Sequence, residues 1–170
     1  MNTFFIADPH FGHKAVIEYE NRPFVSVEEM DEAIIANWNR VTTKHDKVYL
    51  LGDLSFYPDE RTAKIVQRLK GIKYLVLGNH DKRNVQTYYA MGFHRVYDFP
   101  IILEEFWMLS HAPLYTNANM PYANIFGHVH GNKQYTNYSD QSFCVSVERI
   151  NYTPIEFEEI KLHMGIKSRD

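Results

Sequence analysis

A single cysteine, Cys144, is all the thiol chemistry this 170-residue chain carries. One thiol excludes an internal disulfide and fits a reducing compartment, and in "FCVSVE" it reads as a small strand hydrophobe rather than a nucleophile. Long apolar runs are also missing. No window approaches the roughly 18 apolar residues of a membrane span, and the opening "TFFIA" runs too soon into Asp8 to be a signal-peptide core. The expectation is a cytoplasmic protein with no membrane partner. Nor is there an excess of basic charge: 18 Lys and Arg against 21 Asp and Glu give a formal net charge of -3. That lacks the footprint of a protein that grips long nucleic acid, and leaves small anionic partners open. With 45% hydrophobic and 23% charged residues the composition is globular, which excludes disorder. The length predicts one domain over residues 1–170, with no repeats, linkers or low-complexity segments.

What the chain does have is nine histidines, and their positions follow a pattern. Short apolar runs recur as "TFFIA", "KVYLLGD", "KYLVLGNHD", "FWMLSHAP" and "ANIFGHVHG", each stopped by Gly, Asp or Asn and each ending in groups able to bind metal. Between the first two lies "SVEEMDEAIIANWNRVT", where Met30, Ile34, Trp38 and Val41 repeat at helical spacing behind a Ser26–Glu29 capping box. A second helix is predicted in "PDERTAKIVQRLKG", with Ala63, Ile65, Val66 and Leu69 on one side and Gly71 at its end. Strand, helix, strand, helix, strand predicts parallel pairing. From Arg95 onward the strands follow closely, which predicts a second, more antiparallel sheet. The segment beyond Ile150 suits a closing strand or a short helix equally.

Open α/β sheets gather ligand-binding residues at the carboxyl ends of their strands. There stand Asp8 and His10 in "ADPH", Asp53 in "LGD", Asn79 and His80 in "GNHD", His111 in "SHAP", and His128 and His130 in "GHVH". Oxygen and nitrogen donors without sulfur suit divalent Mn, Fe, Co, Ni or Zn, and there are too many for one ion. Two ions are the natural reading. Asp8 and His10, two apart, are expected to project to the same side, and Gly52, Gly78, Gly127 and Gly131 to allow close backbone approach.

In combination, "D-x-H", "GD", "GNHD", "SH" and "GHVH", spanning Asp8 to His130, resemble the calcineurin-like metallophosphoesterase superfamily. The "HFGHKAVIEYENRPF" and "ANWN" segments are similar to its small bacterial and phage phosphoesterases. The resemblance implies an α/β fold, a four-layer α/β/β/α sandwich of two mixed β-sheets flanked by helices. It implies one ion on Asp8, His10, Asp53 and His130 and another on Asp53, Asn79, His111 and His128, with Asp53 bridging. His80 matches a non-ligand histidine that faces substrate. Many members carry an aspartate three residues after the bridging one to support that histidine, and Phe56 stands there instead. Asp81 or another group then orients His80, or it works unsupported.

Two such ions lower the pKa of a shared water to give hydroxide and stabilise in-line displacement at phosphorus. The expected activity is therefore hydrolysis of a phosphate mono- or diester, on a small phosphorylated substrate such as a nucleotide. A nucleotide phosphodiesterase or small nuclease, and a non-catalytic binding scaffold, are the competing classes. Loops around "YENRPF", "SFYPDE" and "YTNANMPY" are expected to set specificity. Beyond the ligands, Gly12 lets His13 turn back toward the ions and Pro23 holds Arg22 extended, which suggests a phosphate clamp. The alternative is a solvated arginine and a helix-capping histidine.

Overall fold

The computed structural model describes residues 1–117, 119–135, 139 and 141–165. In chain order its elements are β1 (Thr3–Ile6), α1 (Lys14–Tyr19), α2 (Val27–Val41), β2 (Lys47–Leu50), α3 (Asp59–Arg68), β3 (Ile72–Val76), α4 (Val85–Met91) and β4 (Arg95–Tyr97). There follow β5 (Ile101–Leu103), β6 (Trp107–Ser110), β7 (Ala123–Phe126), β8 (Ser142–Cys144), β9 (Ile155–Glu156) and α5 (Phe157–His163). One sheet runs β4-β3-β2-β1-β9, parallel except for β9. The other runs β5-β6-β7-β8.

Strands of the first sheet are apolar on both faces because both faces are covered. Phe4, Ile6, Val48, Leu50 and Leu75 pack under Met30, Ile34 and Trp38 of α2, Ile65 and Val66 of α3, and Tyr88 and Met91 of α4. The alternate residues Phe5, Ala7, Tyr49, Leu51 and Val76 meet Trp107, Leu109, Ala123 and Ile125 between the sheets, where α5 adds Phe157 and Ile160. The architecture is two mixed sheets flanked by helices, as the resemblance implied. The Ser26 cap is present, its Oγ accepting from Glu29 N at 3.1 Å, while the Glu29 carboxylate reaches back one residue further than in a capping box, to the Val25 N–H at 2.7 Å.

The second sheet departs from expectation. Only β5 and β6 are antiparallel, while β6, β7 and β8 are parallel. Their crossovers span residues 111–122 and 127–141, and among the described residues these hold one 3-10 turn, Lys133–Tyr135, and no α-helix. Parallel pairing puts the ends of β6 and β7 on one edge. "RVYDFPIIL" divides, β4 joining the first sheet and β5 the second. The closing segment makes both a strand and a helix. Two short helices were not expected: α1 buries only Val16, and α4 runs from an Asn84 cap to a left-handed Gly92.

Asn124 fastens the 111–122 crossover to the sheet. Wholly buried, it accepts from Leu114 N at 2.8 Å and donates to Met108 O and Ser110 Oγ, both at 2.9 Å. Each buried polar group left unpaired costs about 1–3 kcal/mol. Asn124→Ala is therefore expected to lower the urea midpoint at unchanged m-value and to speed proteolysis within residues 111–122; an unchanged midpoint would show that the amide is dispensable.

Candidate metal centre

Each cluster read from the sequence follows the carboxyl end of a strand, and all lie along one edge: Asp8 and His10 after β1, Asp53 after β2, Asn79 and His80 after β3, His111 after β6, His128 and His130 after β7. The local reason is not strand alternation, as the two-residue spacing of Asp8 and His10 suggested. Asp8, His10, Asp53, His128 and His130 all have left-handed backbones, with φ of 57°, 51°, 57°, 70° and 49°. Asp and His tolerate that region better than most residues, yet each such turn carries strain that the surroundings must hold. Residues two apart thus project together because both turn, not because they share a strand face.

Close approach does the rest. A Cβ on Gly78 would lie 2.6 Å from Asp53 N, and nearer still to its Oδ1. Gly52, at φ 90°, leaves room for the His111 ring. Gly131, by contrast, would meet nothing nearer than 3.7 Å, so close approach does not explain it.

Two groups of donors result. Asp8, His10 and His130 offer atoms within 4.8 Å of one another, as do Asp53, His111 and His128. Asp53 Oδ2 lies between the groups, 3.4 Å from His10 Nε2 and 3.5 Å from His111 Nε2. Its other oxygen accepts the His80 N–H at 2.9 Å. His111 Nδ1 donates to Leu51 O at 2.8 Å, so its Nε2 carries the lone pair in the neutral ring. That lone pair faces Asn79 Oδ1 at 2.9 Å and His128 Nδ1 at 3.1 Å. Asp8 Oδ2 is held by Ser146 Oγ at 2.6 Å and His128 N at 2.8 Å, while the buried Asp8 Oδ1 and His10 Nε2 have no hydrogen-bond partner.

A buried carboxylate oxygen and a buried imidazole nitrogen left unpartnered beside a second carboxylate are what a cation satisfies. The titration behaviour points the same way. Burial raises Asp8 to about 6, against the pull of His130 and His111. Burial works upward on Asp53 too, but His10 and His111 outweigh it and bring it down to about 2. Burial lowers His10 to about 4, and lowers His128, whereas at His130 the Glu148 hydrogen bond and the Asp8 charge outweigh burial and raise it. Neutral imidazoles are the form that ligates, so the residues present fit divalent ions.

Behind the donors stands support that the sequence reading missed. Glu148 Oε1 takes His130 Nδ1 at 3.0 Å and also accepts from Arg22 Nε at 2.9 Å and Nη2 at 2.7 Å. Arg22 completes its set with Asp8 O at 2.8 Å, Pro9 O at 2.9 Å and Met30 Sδ at 3.3 Å. Its side chain is 0% exposed, so it is neither a phosphate clamp nor a solvated arginine: no donor is left over for substrate. Instead it ties the Asp8–His10 turn to the carboxylate that orients His130. Glu20, His130 and Glu148 form a third cluster of donors, but with Arg22 on Glu148 it reads as the outer shell of His130. Ser146 and Glu148 follow β8 just as the other clusters follow their strands, and strand-end position was the one signal that marked them.

His13 takes the N-cap position of α1 without a side-chain cap and lies with its Nδ1 3.3 Å from His10 Nδ1, its ring stacked on Phe56. Asp81 does not orient the His80 ring. Its carboxylate is occupied by the backbone N–H groups of Asp53, Leu54 and Gly78, at 2.7, 3.1 and 2.8 Å. His80 is exposed at the rim, with Phe56 5.1 Å and His10 5.6 Å from it between ring centroids.

A family model described as Calcineurin-like phosphoesterase matches residues 1–164, and the chain belongs to that family. It is 36% identical over 165 residues to the uncharacterised protein MJ1445 of Methanocaldococcus jannaschii, covering 92% of this chain and 88% of that one. It is 37% identical over 83 residues to the gene 66 protein of Mycobacterium phage L5, covering 47% and 40%. Among solved structures, the protein of unknown function AQ665 from Aquifex aeolicus superposes with a TM-score of 0.77 at 26% identity, over 95% of this chain and 98% of that one. The nuclease MPE of Pseudomonas putida, at 24% identity and a TM-score of 0.50 over 75% and 61%, is a likeness of fold alone. Membership implies phosphoester hydrolysis with divalent metals. Among the described residues no helix is long and apolar enough to cross a membrane.

Two outcomes follow from this geometry. Arg22→Ala leaves the Glu148 charge buried without its cation, a change that typically costs about 3–5 kcal/mol; a denaturation curve matching the parent would place Arg22 outside the support. The second concerns pH. Because Asp8 is raised in the folded state, it destabilises the metal-free protein progressively as pH climbs from about 4 to about 6. Added divalent ion should remove that penalty, so the Tm gain on adding Mn should be larger at pH 7 than at pH 5, read by calorimetry.

Proposed function

We propose that the chain is a dinuclear metal-dependent hydrolase of phosphate mono- or diesters, acting on a small phosphorylated substrate. The observation that carries this reading is Asp53 Oδ2, set between two groups of donors that each lack a counter-charge. Asp8, His10 and His130 with Asp53 would hold one ion, and Asp53, Asn79, His111 and His128 the other. Mn, Fe, Co, Ni and Zn all accept such donors. When bound, the pair of ions activates water at neutral pH and neutralises the phosphoryl oxygens.

The chain's own residues then position and protonate. Asp53, low in pKa, stays ionised and keeps two positive charges close. Asn79 ligates without adding negative charge, and its exposure leaves it open to the ester. His80 stands at the rim with its backbone N–H fixed on Asp53 Oδ1, and its ring is placed to give a proton to the leaving oxygen or a hydrogen bond to phosphate. Among the described residues no carboxylate is hydrogen-bonded to that ring; Phe56 packs beside it instead. A net charge of -3 favours a small anion over long nucleic acid.

The test is turnover of bis-p-nitrophenyl phosphate and p-nitrophenyl phosphate with Mn, with and without chelator. Chelator-sensitive hydrolysis of either supports the reading and sorts diester from monoester preference. Hydrolysis of neither, with each candidate metal supplied, overturns it. His80→Ala should keep both ions by elemental analysis and lose roughly 10²–10⁴ in kcat. Loss of metal would make His80 a ligand, and full activity would remove it from the chemistry.

A further inference from the structure

Phe56 has an unusual setting. A large apolar ring, it is 43% exposed, yet it is fixed in place. Its backbone N donates to Phe11 O at 2.8 Å, and the preceding Ser55 bridges to Phe11. Its ring stacks on His13 at 4.0 Å between centroids, with 18° between planes. His13 is in turn held by its 3.3 Å contact with His10, and Tyr19, 76% exposed, stands edge-on to it at 6.4 Å. Tyr57, the next residue, is pinned by the Arg61 guanidinium 3.7 Å over its ring. The rigid, half-exposed ring lies 5.4 Å from His10 and 5.1 Å from His80 between centroids, at the mouth of the donor cluster.

Hydrophobicity alone would draw this side chain inward. A fixed aromatic surface left open beside a phosphoester site is what a flat, aromatic part of the substrate uses. We propose that Phe56, backed by His13 and flanked by Tyr19, is a stacking surface for the nucleobase of a nucleotide-type phosphate ester. With the phosphate at the metal centre, a base one sugar's width away lies over this row of rings. Stacking suits any base, since each has a π face, so the surface would favour nucleotides as a class without choosing among them. The inference rests on the phosphoesterase reading, because that reading places the phosphate.

The experiment is calorimetric binding of adenosine 5′-monophosphate, ribose 5-phosphate and inorganic phosphate to the Mn-loaded protein, with each ester assayed for released phosphate so that heat of hydrolysis is separated from heat of binding. Parent, Phe56→Ala, Phe56→Leu and Phe56→Trp are compared. Adenosine monophosphate should bind the parent more tightly than ribose 5-phosphate does, and should weaken roughly fivefold to a hundredfold in the Ala and Leu variants. Trp should retain it, and in every variant the two base-free ligands should lose less affinity than the nucleotide does. Leu keeps apolar bulk without a π face, so it guards against a fold defect in the Ala variant. Equal affinity of the parent for the nucleotide and the sugar phosphate overturns the proposal, as does equal weakening of all three ligands. If inorganic phosphate does not bind the parent at all, the phosphoesterase reading itself falls and the inference falls with it.

Discussion

Lone pairs crowd one edge of this protein. Asp8 Oδ1 and His10 Nε2 are buried without a hydrogen-bond partner, Asp53 Oδ2 stands 3.4 Å from His10 Nε2 and 3.5 Å from His111 Nε2, and the five backbones that aim Asp8, His10, Asp53, His128 and His130 sit in the left-handed region. Neither condition is stable alone. The turns persist because parallel strands fixed by two apolar cores deliver them to one place, and the donors tolerate one another because several are neutral at the pH where imidazole normally titrates. The rest of the edge works to maintain that arrangement.

The means are divided between backbone and side chain. Asp81 spends its carboxylate on three amides of the neighbouring turns, so it shapes the loops and leaves the His80 ring alone. Arg22 works the other way, its guanidinium gripping carbonyls of the first turn and a carboxylate from the far sheet. Its planar fork fills all these directions at once, which an ammonium cannot do. Ser146 adds a bond to Asp8 where it pairs with Ala7 across the sheets. Asp8, His111 and His130 are thus oriented by partners outside the cluster, and His13 contacts the His10 ring.

Much of this was legible in the sequence, for definite reasons. Apolar runs stopped by Gly and Asp gave the strands, and the Ser26 cap gave α2, because those signals are local. His111, His128 and His130 could be placed on one edge with Asp8 and Asp53 because each follows a run. What was not legible depends on distance in the chain. Arg22 and Glu148 are 126 positions apart, and nothing near either announces the other. An arginine before proline reads as exposed, and only the folded chain shows it enclosed. The parallel sense of β6, β7 and β8 was hidden because their crossovers, with no α-helix among the described residues, leave no periodic trace. Left-handed turns at Asp and His escaped for a related reason: glycine advertises such turns, and these residues do not.

Each group of donors draws on both halves of the chain. Asp8 and His10 come from the first sheet and His130 from the second; Asp53 comes from the first and His111 and His128 from the second. Neither half contains a complete set. During synthesis the first sheet's strands β1 to β4 exist before any of the later histidines, so a partly made chain presents carboxylates and an imidazole but no closed coordination shell. A chain that stops before β6 therefore lacks the imidazoles that complete either group, and the two groups of donors exist only once the two sheets have met.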